Sequence, residues 1–229
     1  MNLYYVVEGA QTEMSVYPNW MSILAPKYSR IHDAWDVSNN CYYMFSGGGI
    51  PSIYTHVVHA IEDINKINKL GKGQYDFLLV CIDTEEGTRE EIESTLKRII
   101  DEAGVRLVNT ELVLFAHKVC MESWFLGNTR VFKSNPQDSE YLKYISFYDV
   151  SENNPEDMDT IDGTRFSTKA QFHFQYLRKV LAERKMHYSK TNTKAVCSEA
   201  YLNELVKRYN NTKHIKSFGS WLSFIQSIA

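Results

Sequence analysis

The chain has 229 residues, 44% of them hydrophobic, and a formal net charge of −3, enough material for one substantial core and a smaller appended one. No run approaches the roughly 18 to 20 apolar residues that span a bilayer, and Met1-Asn2 opens no basic, signal-like stretch, so a soluble cytoplasmic protein is expected. Cys41, Cys81, Cys120 and Cys197 are scattered, without zinc-type pairing, as reduced thiols are.

In chain order, Leu3-Tyr4-Tyr5-Val6-Val7 reads as a buried strand running into the turn Glu8-Gly9-Ala10-Gln11. Thr12 is placed to cap an amphipathic helix reaching about Leu24, with Glu13 in its first turn. A second strand at Cys41 to Phe45 stops at Gly47-Gly48-Gly49, and a helix follows from Pro51 to about Lys69. The glycines suit either an anion cradle or a tight turn. A third strand, residues 76 to 82, leads through Asp83-Thr84-Glu85-Glu86 into a charged helix ending before Gly104, and a fourth covers about Glu111 to Ala116. This alternation predicts an α/β fold, a parallel sheet flanked by helices.

Beyond it, Glu122 to Leu126 reads as a short helix, Asp149 to Asp162 as a mobile acidic loop, and residues 168 to 227 as helical, giving a C-terminal helical extension. The expected domains are 1–164 and 165–229. The first carries 13 basic and 25 acidic side chains, the second 12 basic and 3 acidic. A basic extension beside an acidic half fits a partner that is nucleic acid, DNA or RNA; it fits equally a tail docked on its own acidic half.

In open α/β sheets the chemistry lies outside the carboxyl ends of the strands. If the first and third strands are neighbours, Glu8, Asp83 and Glu85 converge there, and carboxylates held together favour a cation. Mg²⁺ (or Mn²⁺), with its preference for oxygen ligands and phosphate, is the expected cofactor.

The series Val6-Val7-Glu8-Gly9-Ala10-Gln11-Thr12-Glu13, then Ile82-Asp83-Thr84-Glu85, then Cys120-Met121-Glu122-Ser123-Trp124-Phe125-Leu126 resembles the motif order of TOPRIM-fold proteins. It is most similar to the RloB-like and OLD-type nuclease branch associated with phage defence. The resemblance covers about residues 3 to 127. It implies Glu8 as metal ligand or general acid/base, Asp83 and Glu85 as the metal-binding pair, and Glu122 in the site. Glu85 stands where the family more often has a second Asp. The implied activity is metal-dependent phosphodiester hydrolysis, with a separate ABC-type ATPase as partner, since no Walker A sequence occurs in the chain. A homo-oligomer is compatible with all of this, and so is the alternative of a non-catalytic nucleic-acid-binding or assembly subunit.

Around these residues, Lys118 is placed to offset charge on a phosphate. His117 reads equally as a surface histidine or a base. Glu13 reads as a helix-stabilising charge, and Glu86 as a spare carboxylate. Arg178, Lys179, Arg184, Lys185, Lys190 and Lys194 are interleaved with Phe172, Phe174, Tyr176, His187 and Tyr188, a pattern for binding phosphates and stacking bases or for a helical core with a basic surface.

Overall fold

The computed structural model describes residues 1–71, 73–161 and 166–229. Five strands form one sheet: β1 (Leu3–Val7), β2 (Ser29–Ile31), β3 (Cys41–Ser46), β4 (Phe77–Asp83) and β5 (Glu111–His117). They are ordered β2-β3-β1-β4-β5. Parallel registers pair Leu3 with Tyr42 and with Phe77, so β1 sits in the middle, buried along its whole length. A residue run without polar alternation is what a strand covered on both faces requires. The expected α/β fold with a parallel sheet is therefore present, and β1 and β4 are neighbours. The short β2 is an addition at the edge.

Helices α1 (Thr12–Leu24), α2 (Ser52–Leu70) and α3 (Arg89–Glu102) connect the strands. α2 ends at Gly71, whose φ of 68° is the left-handed conformation that glycine adopts freely. Its buried face, Ile53, Val57, Ile61 and Ile64, packs with Val6, Leu78, Val80, Ile92 and Leu96 in one core. Thr12 is not the cap of α1. Gln11 holds that position, Thr12 Oγ1 is buried without a hydrogen-bond partner, and Glu13 Oε1 instead accepts the Gly9 N–H at 3.0 Å.

Among the described residues five further α-helices follow: α4 (Met121–Phe125), α5 (Ser139–Phe147), α6 (Lys169–Glu183), α7 (Glu199–Thr212) and α8 (Lys216–Ile228). The last three are the expected C-terminal helical region. The chain divides into two compact units, one comprising Met1–Ile82, Arg89–Ala116 and Ile225–Ala229, the other Asp83–Thr88 and His117–Phe224. The boundary expected between residues 164 and 165 lies outside the described residues.

The acidic stretch expected to be a mobile loop is packed over its described part, with Val150, Glu156 and Met158 buried. Buried Arg208 on α7 holds it by donating to the carbonyl oxygens of Val150, Ser151 and Asn153 at 3.1, 2.9 and 2.8 Å. Asp162 lies outside the described residues. Among the described residues no helix is long and apolar enough to cross a membrane, and all four cysteines are free thiols.

Candidate functional site

The strand order reverses between β1 and β4, the place where open α/β sheets leave a crevice at their carboxyl ends. Glu8 directly follows β1. Its N–H bonds Cys81 O at 3.0 Å, and its carbonyl accepts from Gly49 N–H and Ser46 Oγ, both at 3.1 Å. The amides of Gly47 and Gly48 are taken by Val7 O and Ser46 Oγ. All three glycine amides are thus spent inside the turn that clamps Glu8, which answers the choice between anion cradle and tight turn in favour of the turn. A Cβ at Gly47 would meet Ile53 Cα at 2.8 Å, so the residue must be glycine.

The other expected site residues, Asp83, Glu85, Lys118 and Glu122, all belong to the second unit. The turns after β4 and β5 interlock there: Thr84 N–H bonds His117 O at 2.9 Å, Val119 N–H bonds Thr84 Oγ1 at 2.9 Å, and Glu85 N–H bonds Val119 O at 2.8 Å. Glu85 and Val119 both have positive φ, 49° and 69°. For a β-branched valine this is strained, and the mutual hydrogen bonds hold it.

Asp83, its side chain 20% exposed, meets fully buried His117 Nδ1 at 2.6 Å. Burial pushes the Asp83 carboxyl well above its ordinary pKa, and the negative charges of Glu122 and Glu85 push the same way, against Lys190 and the Met121 amide. Glu122, only 5% exposed, accepts from Tyr188 Oη at 2.9 Å, the partner a buried carboxylate needs. Burial, with Glu122 and Asp83, also raises the Cys120 thiol, so it is no activated nucleophile.

His117 is thus no surface histidine: it packs edge-on against Trp124, ring centroids 4.5 Å apart. Trp124 Nε1 donates to Ser217 Oγ at 2.6 Å, and Ser217 Oγ in turn donates to buried Glu156. Lys118 Nζ is paired with Asp157 Oδ1 at 2.5 Å rather than presented alone. Glu86 is not spare: its Oε1 accepts the Lys169 N–H at 2.7 Å, at the start of α6. Glu85, Glu86, Lys118, Asp157 and Lys169 line a cleft of about 210 Å³.

Of the extension, Phe172, Tyr176 and Tyr188 are core. Arg184 is spent on the carbonyls of Arg130, Val131 and Phe132, and Lys179 on Asp138 and Glu140. Sequence reasoning missed Tyr188, Glu156, Ser217 and His173, whose Nδ1 meets Ser123 Oγ at 2.8 Å, as parts of this network, because the contacts joining them are distant in sequence.

Asp83, Glu85 and Glu122 are oxygen donors, and burial together with the charges of Glu122 and Glu85 raises the Asp83 carboxyl, so in that respect they fit a hard divalent cation. Among the described residues, however, no three His, Cys, Asp or Glu side chains are already grouped to hold a metal ion. No protein-family model, curated protein or solved structure matches this chain. What stands is an α/β protein with a five-stranded parallel sheet.

Proposed function

We propose that this protein is a divalent-metal-dependent nuclease hydrolysing phosphodiester bonds in DNA or RNA, an effector of phage defence on a TOPRIM-like fold. Asp83, Glu85 and Glu8 would hold Mg²⁺ or Mn²⁺. The observation that carries this reading is Asp83 at the end of β4, held by His117 Nδ1 at 2.6 Å, its carboxyl raised by burial and then by the charges of Glu122 and Glu85. Carboxyl groups crowded this way cost stability, and a cation at the site reverses that cost.

When bound, the ion would supply a polarised phosphate and an acidified water. The chain's own residues then orient the donors. His117 Nδ1 fixes one Asp83 oxygen, and Tyr188 fixes Glu122, as outer-shell partners do. The chain-order resemblance supports Glu8 as the third donor. Lys118 can face a phosphate only after leaving Asp157. A separate ABC-type ATPase remains the proposed partner.

A second reading, a non-catalytic nucleic-acid-binding or assembly subunit of such an ATPase complex, is favoured by the absence of a preformed metal group among the described residues. Melting with and without Mn²⁺ separates the two when combined with cleavage of plasmid, single-stranded DNA and tRNA. A nuclease gives a metal-dependent rise in Tm and metal-dependent cutting, both lost in Asp83→Asn. No rise and no cutting would leave the subunit reading.

A further inference from the structure

The cations of the extension divide into two groups. Lys169, Lys179, Arg184 and Arg208 are committed to carboxylates or carbonyl oxygens. Arg178, His187 and Lys190, like Lys185, Lys194, Lys207, Lys213 and Lys216, are exposed and, among the described residues, not held at ion-pair distance by a carboxylate, although the charge of Lys190 acts on Asp83.

Arg178 and His187 line one cleft of about 280 Å³, together with Tyr188 and the Asp138–Lys179 ion pair, so that Arg178 is the cation on its wall that no carboxylate among the described residues neutralises. Arg178 lies over the half-buried Phe174 ring, 5.7 Å from its centroid. Tyr188, at the cleft's inner wall, packs against Phe174 and Phe125, ring centroids 5.9 and 5.8 Å apart, and its hydroxyl holds Glu122. Two residues on, Lys190 is carried on a tight turn closed by the Ser189 and Asn192 backbones bonding each other at 3.1 and 3.0 Å. The one side chain therefore joins the basic cleft to the acidic site.

We propose that this cleft, with Arg178 and His187 on its wall, the Phe174 ring beneath Arg178 and Lys190 on the turn that follows Tyr188, holds a single-stranded nucleic acid next to the acidic site. This rests on the nuclease reading and names an unpaired strand as its substrate class. Exposed cations take phosphates, and an arginine-backed aromatic face takes an unpaired base, which a duplex does not offer.

The test is fluorescence anisotropy of a labelled single-stranded DNA of about 20 nucleotides with the full chain in EDTA, so that neither metal nor cleavage enters. Arg178→Glu with Lys190→Glu should weaken binding by roughly ten-fold or more, and Arg178→Gln with Lys190→Gln should flatten the slope of log affinity against log salt by about 1.4. Lys97→Glu with Arg98→Glu on α3, both exposed and together of the same charge change, should leave binding unaltered. Equal binding by both double variants, each shown folded by its melting curve, would overturn the proposal. So would a wild-type chain that ignores the oligonucleotide but binds poly-glutamate through the same residues, which would make the cleft a dock for an acidic protein. Either failure leaves the metal-dependent rise in Tm intact as the separate test of the nuclease.

Discussion

At the scale of single residues, the second unit is organised around buried polar groups with assigned partners. His173, fully buried on α6, accepts from Ser123 Oγ through Nδ1 at 2.8 Å and donates through Nε2 to Met158 O at 2.9 Å. The carbonyl fixes the tautomer, because a carbonyl can only accept. Burial pushes its pKa down from 6.5 to about 4. The unfolded chain therefore takes up a proton below pH 6.5 that the folded chain refuses until about pH 4, so stability falls as pH drops through that window. The full effect is roughly 3 kcal/mol. Asp83, with a raised pKa, works in the opposite sense, but it is common to wild type and variant and cancels in their difference. Urea unfolding of His173→Gln from pH 7 to pH 4 should show a shallower acid loss than wild type; parallel curves would mean that His173 does not titrate in this way. The residues that ended strands, Glu8 and Asp83, were legible in the sequence because uninterrupted apolar runs point straight at them. His117 was not, since a histidine between Ala116 and Lys118 gives no sign that Trp124 will cover it.

At the scale of elements, the strongest periodicities were read correctly and the weak ones were not. α2 and the C-terminal helices repeat apolar residues at helical spacing, whereas β2 has three residues and no pattern to show. α5 carried a usable signal that was passed over: Asp138 accepts from the Glu140 and Tyr141 amides at 2.9 Å, an acidic cap directly before the helix. Composition also misled at residues 149 to 161, where acidic polar sequence suggested mobility. What holds that segment is Arg208, some 55 residues later in the chain, a contact no local window contains. Its guanidinium also meets His214 Nδ1, through Nε at 3.1 Å and Nη2 at 2.9 Å. Arg208→Met should leave buried carbonyl oxygens without donors and cost about 2 to 3 kcal/mol. Arg208→Lys should recover little of it, because an ammonium cannot reach three carbonyls and an imidazole in one plane. Denaturation midpoints measure the loss, and faster hydrogen exchange at residues 151 to 154 would place it; unchanged exchange there would argue that the segment is held by other contacts.

At the scale of the whole chain, the contrast between an acidic first part and a basic last part looked like two domains, one for metal and one for nucleic acid. The contacts within the second unit give much of that contrast another cause. Lys169 pairs with Glu86 and Asp159, and Lys179 with Asp138 and Glu140. Rings follow the same division of labour: Tyr144 meets Phe172 at 5.1 Å, Tyr141 meets Tyr176 at 5.7 Å, and Trp124 meets Phe218 at 5.5 Å. In each pair one aromatic lies before residue 162 and the other after residue 165. A chain cut back to residues 1–164 would therefore keep α4 and α5 but lose the rings they pack on, leaving Trp124, Phe125, Tyr141 and Tyr144 uncovered. The expected result is rapid amide exchange throughout α4 and α5 and binding of a hydrophobic dye, with protection retained only in the sheet. Protected α4 and α5 amides in the shortened chain would instead make residues 165–229 an appended domain. The proposed metal would then be expected to bind at the acidic end of β4 without the extension, and Asp83 would no longer depend on Tyr188 holding Glu122 beside it.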